Sequence, residues 1–265
     1  MEVAVLGLGE AGGRIAADLV VAGCAVRGWD PKRRPPGIAN ADSDLSAVRN
    51  ADVVLSINAA AVALDAAVRV AGELGGDTVY ADLNTASPQL KRELAAAVPV
   101  QFADVALLGA VPSLGLATPA LASGTGAERF AELFRPLGMP VEVVGSVAGD
   151  AAGSKLLRSV FMKGMAAAAI ESLEAARAAG VVDRLHADIA AVIGGPLLER
   201  LLSGSRAHAA RRVDEMRAAA GYLEELGVQP RVASAAAEWL EQLEVEAGRR
   251  GLGLPTEKPH LGADC

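Results

Sequence analysis

Val3-Ala4-Val5-Leu6-Gly7-Leu8-Gly9-Glu10-Ala11-Gly12-Gly13 is the stretch that decides how this chain folds. A short apolar run of strand character ends in G-x-G-x-x-G, and a stretch of helical composition follows. Gly7 suits a tight turn, Gly9 lets backbone approach a pyrophosphate, and Gly12 lets a helix lie close against a strand. Leu8, Glu10 and Ala11 complete the loop, whose N–H groups at the helix start would face the anion. Glycines also mark ordinary turns, so context gives the pattern its meaning. It follows a strand and opens a helix, and an acidic residue, Asp30, ends the next apolar run about 20 residues on, as a dinucleotide-binding turn requires.

Working outward, β-type runs recur at Val3–Leu6, Ala25–Trp29, Val53–Ile57, Thr78–Asp82, Val100–Ala103 and Val141–Val144. Helical stretches lie between several of them, the clearest at Ala11–Val21, Ala59–Glu73 and Gln89–Ala97. Such alternation predicts βαβ units and a mainly parallel, doubly wound Rossmann-type α/β sheet over residues 1–148. From Asp150 the pattern changes. Gly153–Ala179 has no proline and is rich in alanine, predicting a long interdomain helix that opens an all-α domain over residues 149–265. Further helices are expected at His186–Ile193, Leu197–Leu202, Arg206–Leu226 and Arg231–Gly248, with an irregular stretch from Gly251 to Cys265.

Asp30 also bears on which nucleotide is held. A carboxylate at that place can accept both ribose hydroxyls, which favours NAD and repels a 2′-phosphate. Lys32, Arg33 and Arg34 follow directly, and an arginine fork suits a phosphate. The two signals oppose each other, or the basic run is a solvated loop; the sequence leaves NAD or NADP open, with a lean to NAD.

The formal charge of −7 argues against nucleic acid or an anionic membrane as partner. Ala-rich composition with 3% aromatics favours close-packed helices over a β-sandwich. Cys24 and Cys265, the only two cysteines, make no disulfide framework and are expected as free thiols. No basic segment precedes the first apolar run and Gly7 interrupts it, so no secretory leader is expected and the location is read as cytoplasmic. No Cys/His/carboxylate cluster has metal-ligand spacing, so no metal is expected.

Three further segments, in order, resemble the β-hydroxyacid dehydrogenase and 6-phosphogluconate dehydrogenase superfamily. Ala81-Asp82-Leu83-Asn84-Thr85-Ala86-Ser87-Pro88 is similar to that family's D-x-S-T-x-S-P segment beside the nicotinamide. Asp104-Val105-Ala106-Leu107-Leu108-Gly109 falls where the family carries its D-A-P-V-S-G substrate motif. Gly153-Ser154-Lys155 opens the long helix as the family's G-x-x-x-K-x-x-x-N motif does. Farther on, Lys155 to Gly164, His208 to Met216 and Leu223 to Gly227 resemble a poorly characterised C-terminal domain found in phosphogluconate-dehydrogenase-like proteins.

The resemblance implies an NAD(P)-dependent oxidoreductase that interconverts a hydroxyl and a carbonyl on a small-molecule substrate. It implies Asn58 and Thr85 as contacts near the nicotinamide ribose, Lys155 as the acid/base group, Ser159 as its hydrogen-bonding neighbour, and a homodimer through the helical domain. Lys155, Ser159 and Lys163 are spaced four apart and so share a helix face. Near a helix start the dipole's positive end and apolar neighbours disfavour an ammonium, which tunes a lysine toward neutral-pH proton transfer. The bland reading is a snorkelling lysine that covers alanines.

Two positions depart from the family pattern. Ser159 stands for the usual asparagine, and Leu108, before Gly109, stands for the motif's serine, which puts a small hydroxyacid substrate in doubt. Arg212 and His208 are further candidates for holding a substrate anion, against an ordinary charged helix surface. An imine reductase shares this architecture, though such enzymes commonly replace the lysine. A non-catalytic dinucleotide sensor would keep only the Rossmann half.

Overall fold

The computed structural model describes residues 1–207 and 209–251, with side chains described outside 205–211 and 244–251. The chain divides into two compact units, Met1–Lys155 and Leu156–Cys265. The division falls inside the early turns of helix α7 (Asp150–Ala178).

The first unit is an eight-stranded sheet. Its strands are β1 (Glu2–Leu6), β2 (Ala25–Trp29), β3 (Ala39–Asn40), β4 (Val53–Ser56), β5 (Val79–Asp82), β6 (Gln101–Leu107), β7 (Ala120–Ser123) and β8 (Val141–Gly145). Their order is β3-β2-β1-β4-β5-β6-β7-β8, and every pairing is parallel except β6 with β7. The run 3-2-1-4-5-6 is the doubly wound dinucleotide-binding order, whose crossover direction reverses between β1 and β4. Helices α1 (Glu10–Val21), α2 (Asp44–Val48), α3 (Ala60–Val70), α4 (Pro88–Ala97), α5 (Val111–Leu114) and α6 (Ala127–Phe134) supply the connections.

Burial on both faces follows from strand alternation. Val3 and Val5 pack with Ile15, Leu19, Phe130 and Phe134 on one side. Ala4 and Leu6 pack with Val48, Val70 and Leu94 on the other. Each fully buried side chain of this size contributes about 1.5–3 kcal/mol. Strands β3 and β7 were not expected from the sequence. Cys24 is a buried free thiol.

In the second unit α7 continues, followed by α8 (Val182–Ile193), α9 (Gly195–Ala207), α10 (Ala209–Glu225) and α11 (Arg231–Gly251). Val213, Met216 and Ala219 of α10 share a core with Ala233, Ala236 and Leu240 of α11, the three- and four-residue spacings of facing helix stripes. Close approach is built in: a Cβ on Gly164 would lie 2.5 Å from Val232 Cγ1. No helix among the described residues is long and apolar enough to cross a membrane.

Candidate functional site

The glycine turn leaves the carboxyl end of β1, beside the switch point. Gly7 adopts φ +104°, and its N–H donates to Trp29 O at 2.8 Å. A Cβ there would lie 2.3 Å from Ile57 O, and one on Gly12 would lie 1.9 Å from Gly7 O. Both glycines are therefore demanded by close backbone packing. Gly9 differs: a Cβ on it would meet nothing within 4 Å. It caps α1 with no side-chain hydrogen bond, and Glu10 starts the helix, so the first-turn amides stand at the turn's open side. Bare backbone here is what a diphosphate needs.

Gly9 and Glu10 line an open cavity of about 440 Å3 with Leu8, Arg14, Arg33 and Arg34. Asp30 does not turn into it unengaged. One carboxylate oxygen accepts from Leu8 N at 2.9 Å, the other from Lys32 N at 2.8 Å and Arg33 N at 3.0 Å. Partial burial pushes its pKa up, but the Lys32, Leu8 and Arg33 amides and the Arg33 charge outweigh that and hold it below the usual value. Asp30 thus ties the glycine turn to the basic loop after β2.

Next along the same edge of the sheet come the carboxyl ends of β4 and β5. Asn84 Nδ2 donates to Asn58 Oδ1 at 3.0 Å and to Asp82 Oδ2 at 2.6 Å. Lys155 Nζ donates to Thr85 Oγ1 at 2.8 Å. The turns after β1, β2, β4 and β5 and the sixth residue of α7 therefore bring together the Gly7–Gly12 loop, Asp30, Asn58, Thr85 and Lys155 at one end of the sheet.

Leu108 is half-buried and Gly109 exposed in the segment after β6. Leu108 N donates to Pro119 O at 2.8 Å. The segment is strapped to α1, because Asp18 accepts from Leu116 N at 3.0 Å and Arg14 donates to Pro112 O at 3.1 Å.

Ser159 departs from its expected role. It is 2% exposed in the second unit, where it donates to Glu215 Oε1 at 2.5 Å and accepts from Lys163 Nζ at 3.0 Å. Glu215, far along the chain, sets that direction, which helix spacing could not reveal. Arg212 is half-buried, and a Cβ on Gly204 would approach its guanidinium to 2.7 Å. His208 lies outside the described residues. No group of three or more His, Cys, Asp or Glu among the described residues could hold a metal.

Sequence reading missed Asn84, Arg14 and above all Lys91. The last sits between Pro88 and Leu94 on the buried stripe of α4, at 1% exposure. A lysine on an otherwise apolar stripe was the available signal.

A family model described as a domain of unknown function, DUF1932, matches residues 176–243. An uncharacterised 28.5 kDa protein of Methanothermus fervidus is 30% identical over 173 residues, which are 64% of this chain and 66% of that one, so the match spans just under two thirds of that relative. A conserved hypothetical protein from Sinorhizobium meliloti 1021 superposes with TM-score 0.76 at 30% identity, covering 96% of this chain and 91% of that one. MTH1747, a conserved protein of unknown function described as structurally similar to 3-hydroxyacid dehydrogenases, gives 0.75 at 27% identity, covering 94% and 99%. The 3-hydroxyisobutyrate dehydrogenase of Mycobacterium tuberculosis, solved with L-serine, gives 0.78 at 22% identity, covering 93% and 94%.

Proposed function

For a chain that carries a DUF1932 domain and has the fold of the 3-hydroxyacid dehydrogenases, we propose an NAD(P)-dependent oxidoreductase that interconverts a hydroxyl and a carbonyl. The observation that carries this reading is the pairing of an open Gly9 cradle with the Lys155–Thr85 hydrogen bond at the same end of the sheet.

The residues fit a dinucleotide. Gly9 leaves room for a diphosphate, and the first-turn amides of α1 supply donors and the positive end of a helix dipole. The sequence leans to NAD; our reading of the cavity favours NADP. Both Asp30 oxygens already accept backbone N–H groups, while Arg33 and Arg34 line the adjoining cavity and suit a 2′-phosphate. Asn58 and Thr85 would orient the nicotinamide half.

A bound dinucleotide supplies the hydride donor or acceptor. Lys155 Nζ gives or takes the proton at the substrate's hydroxyl oxygen, and Thr85 Oγ1 aims that nitrogen. Leu108, half-buried where the family motif has a serine, favours a substrate less polar than a small hydroxyacid. Ser159 is left out of the reacting set because Glu215 and Lys163 engage its hydroxyl.

A homodimer through the helical unit has supporting apolar surface: Leu157 and Phe161, one turn apart on α7, are 42% and 68% exposed. Sedimentation of the intact protein tests it.

The decisive experiment is a panel of secondary alcohols, hydroxyacids and matching carbonyls with each nicotinamide cofactor, followed at the nicotinamide absorbance. Turnover that disappears in Lys155→Ala while cofactor binding persists is the expected result. Binding without turnover on any compound favours a sensor, and turnover only on cyclic imines added to the same panel favours the reductase.

A further inference from the structure

A chain of buried charges runs beneath this site. Asp82 closes β5, Lys91 lies on α4 and Asp104 sits in β6; they are 0%, 1% and 0% exposed. Lys91 Nζ meets Asp82 Oδ1 at 2.6 Å and Asp104 Oδ1 at 3.1 Å, and also donates to Asp82 O at 2.9 Å. Burial pulls the Lys91 pKa down, but the two carboxylates overcome it and hold the ammonium charged.

The triad connects outward at both ends. The second oxygen of Asp82 accepts from Asn84, the neighbour of Thr85. The second oxygen of Asp104 accepts from Ala152 N at 2.9 Å, Gly149 N at 3.2 Å and Ser123 Oγ at 3.2 Å. Ser123 Oγ in turn accepts from Ala151 N at 3.0 Å. Two carboxylates and one ammonium leave a buried charge of minus one, and the positive end of the α7 dipole faces it.

Helix α7 carries Lys155 three residues beyond Ala152, so the links close a ring. Lys155 holds Thr85, whose neighbour Asn84 holds Asp82. Asp82 holds Lys91, which holds Asp104, and Asp104 holds the start of the helix that bears Lys155. Buried ion pairs are costly to desolvate, and well-packed apolar residues of similar volume often serve stability as well or better. Fixed geometry is what such a ring adds.

We propose that Asp82, Lys91 and Asp104 are positioning residues that set the direction and reactivity of Lys155 through the N-terminus of α7. The inference rests on reading Lys155 as the proton-transfer group, but its test needs no substrate. Competitive labelling with acetic anhydride, read by peptide mass spectrometry from neutral to alkaline pH, reports the reactivity of Lys155 in the full-length protein. Exposed Lys32 is the internal standard.

The main variant is Asp82→Asn/Lys91→Met, which removes one charge of each sign and leaves Asp104 as the anion facing α7. Ser123→Ala is the milder variant and keeps the test alive if the double one does not fold. In folded variants the labelling rate of Lys155 relative to Lys32 should change at least threefold and its pH profile should move. A Lys155 profile that superimposes on the parent's in a folded variant overturns the proposal. Turnover that survives in Lys155→Ala would instead sink the proposed function and leave the labelling result standing.

Discussion

Lys155 Nζ and Thr85 Oγ1 stand 2.8 Å apart although 70 positions separate them in the chain. One residue follows the carboxyl end of β5 and the other sits in the second turn of α7. The hydroxyl gives the ammonium one fixed direction, and a hydrogen bond to a charged group is worth about 1.5–3 kcal/mol.

Thr85→Val keeps the shape of the side chain and removes that bond. It should lower kcat about 10- to 100-fold, the full worth of a charged hydrogen bond expressed in the transition state. NADPH affinity should change by less than about threefold, since the dinucleotide's main holds lie elsewhere. Steady-state kinetics beside fluorescence titration separate the two, and equal losses in both would show Thr85 acting through cofactor affinity and not through Lys155.

The glycines of the turn separate fold from ligand. Alanine normally stabilises a helix interior by about 1 kcal/mol over glycine. At Gly12 it should do the reverse, because its Cβ would lie 1.9 Å from Gly7 O and backbone must move. Gly12→Ala should lower the melting temperature and cofactor affinity together. Gly9→Ala faces open space and should melt within about one degree of the parent, yet bind NADPH at least about 10-fold more weakly because the methyl stands where the diphosphate would lie. Normal affinity in Gly9→Ala would remove the cradle from the site.

Arg33 and Arg34 line the same cavity as Gly9. Replacing either with alanine should weaken NADPH about 10-fold or more, from the value of a charge-assisted bond to phosphate, and leave NADH nearly unchanged. Parallel fluorescence titrations with the two nucleotides check this. Equal losses for both would place the arginines on the shared diphosphate instead of a 2′-phosphate.

Local patterns were legible in sequence, and long-range partners were not. The β1–turn–α1 unit could be read because strand alternation, glycine geometry and helix composition all act within a dozen residues. Helix α7 was visible as a proline-free alanine run. Strand β7 stayed hidden since Pro119 and Gly124 flank a four-residue run that only its pairing with β6 on one side and β8 on the other makes a strand. The direction of Ser159 depends on Glu215 and that of Asp30 on amides of two loops, so neither could be read from spacing.

Asp30 should leave a mark on acid stability. Its folded-state pKa lies below the ordinary value near 4. The ionised carboxylate therefore adds stability that is complete above that value and is lost as pH falls through the lower folded one. Asp30→Asn cannot accept all three amides. It should be less stable than the parent at neutral pH and lose stability less steeply below about pH 4. Urea unfolding across that range provides the test, and parallel pH profiles would mean that the carboxylate's bonds do not couple to folding.

Ser159 yields the sharpest contrast between sequence pattern and structure. By pattern it occupies the place of a substrate-binding asparagine, yet the residue is 2% exposed and its hydroxyl bridges Glu215 and Lys163, which also pair directly at 2.9 Å. Burial pulls the Lys163 pKa down, Glu215 restores part of it, and Arg212 and Arg158 add to the lowering. That balance makes the cluster sensitive to losing any member. Ser159→Ala should cost about 1–3 kcal/mol through the loss of its bonds to Glu215 and Lys163, a pair that still meets directly, which lowers melting by roughly 2–4 °C per kcal/mol in a chain of this size. Glu215→Gln should cost more, since it leaves Lys163 without its countercharge. Neither change should alter kcat more than about threefold where the protein is folded, because neither group touches the reacting atoms. A large kcat loss in Ser159→Ala at unchanged stability would return the serine to the reacting set.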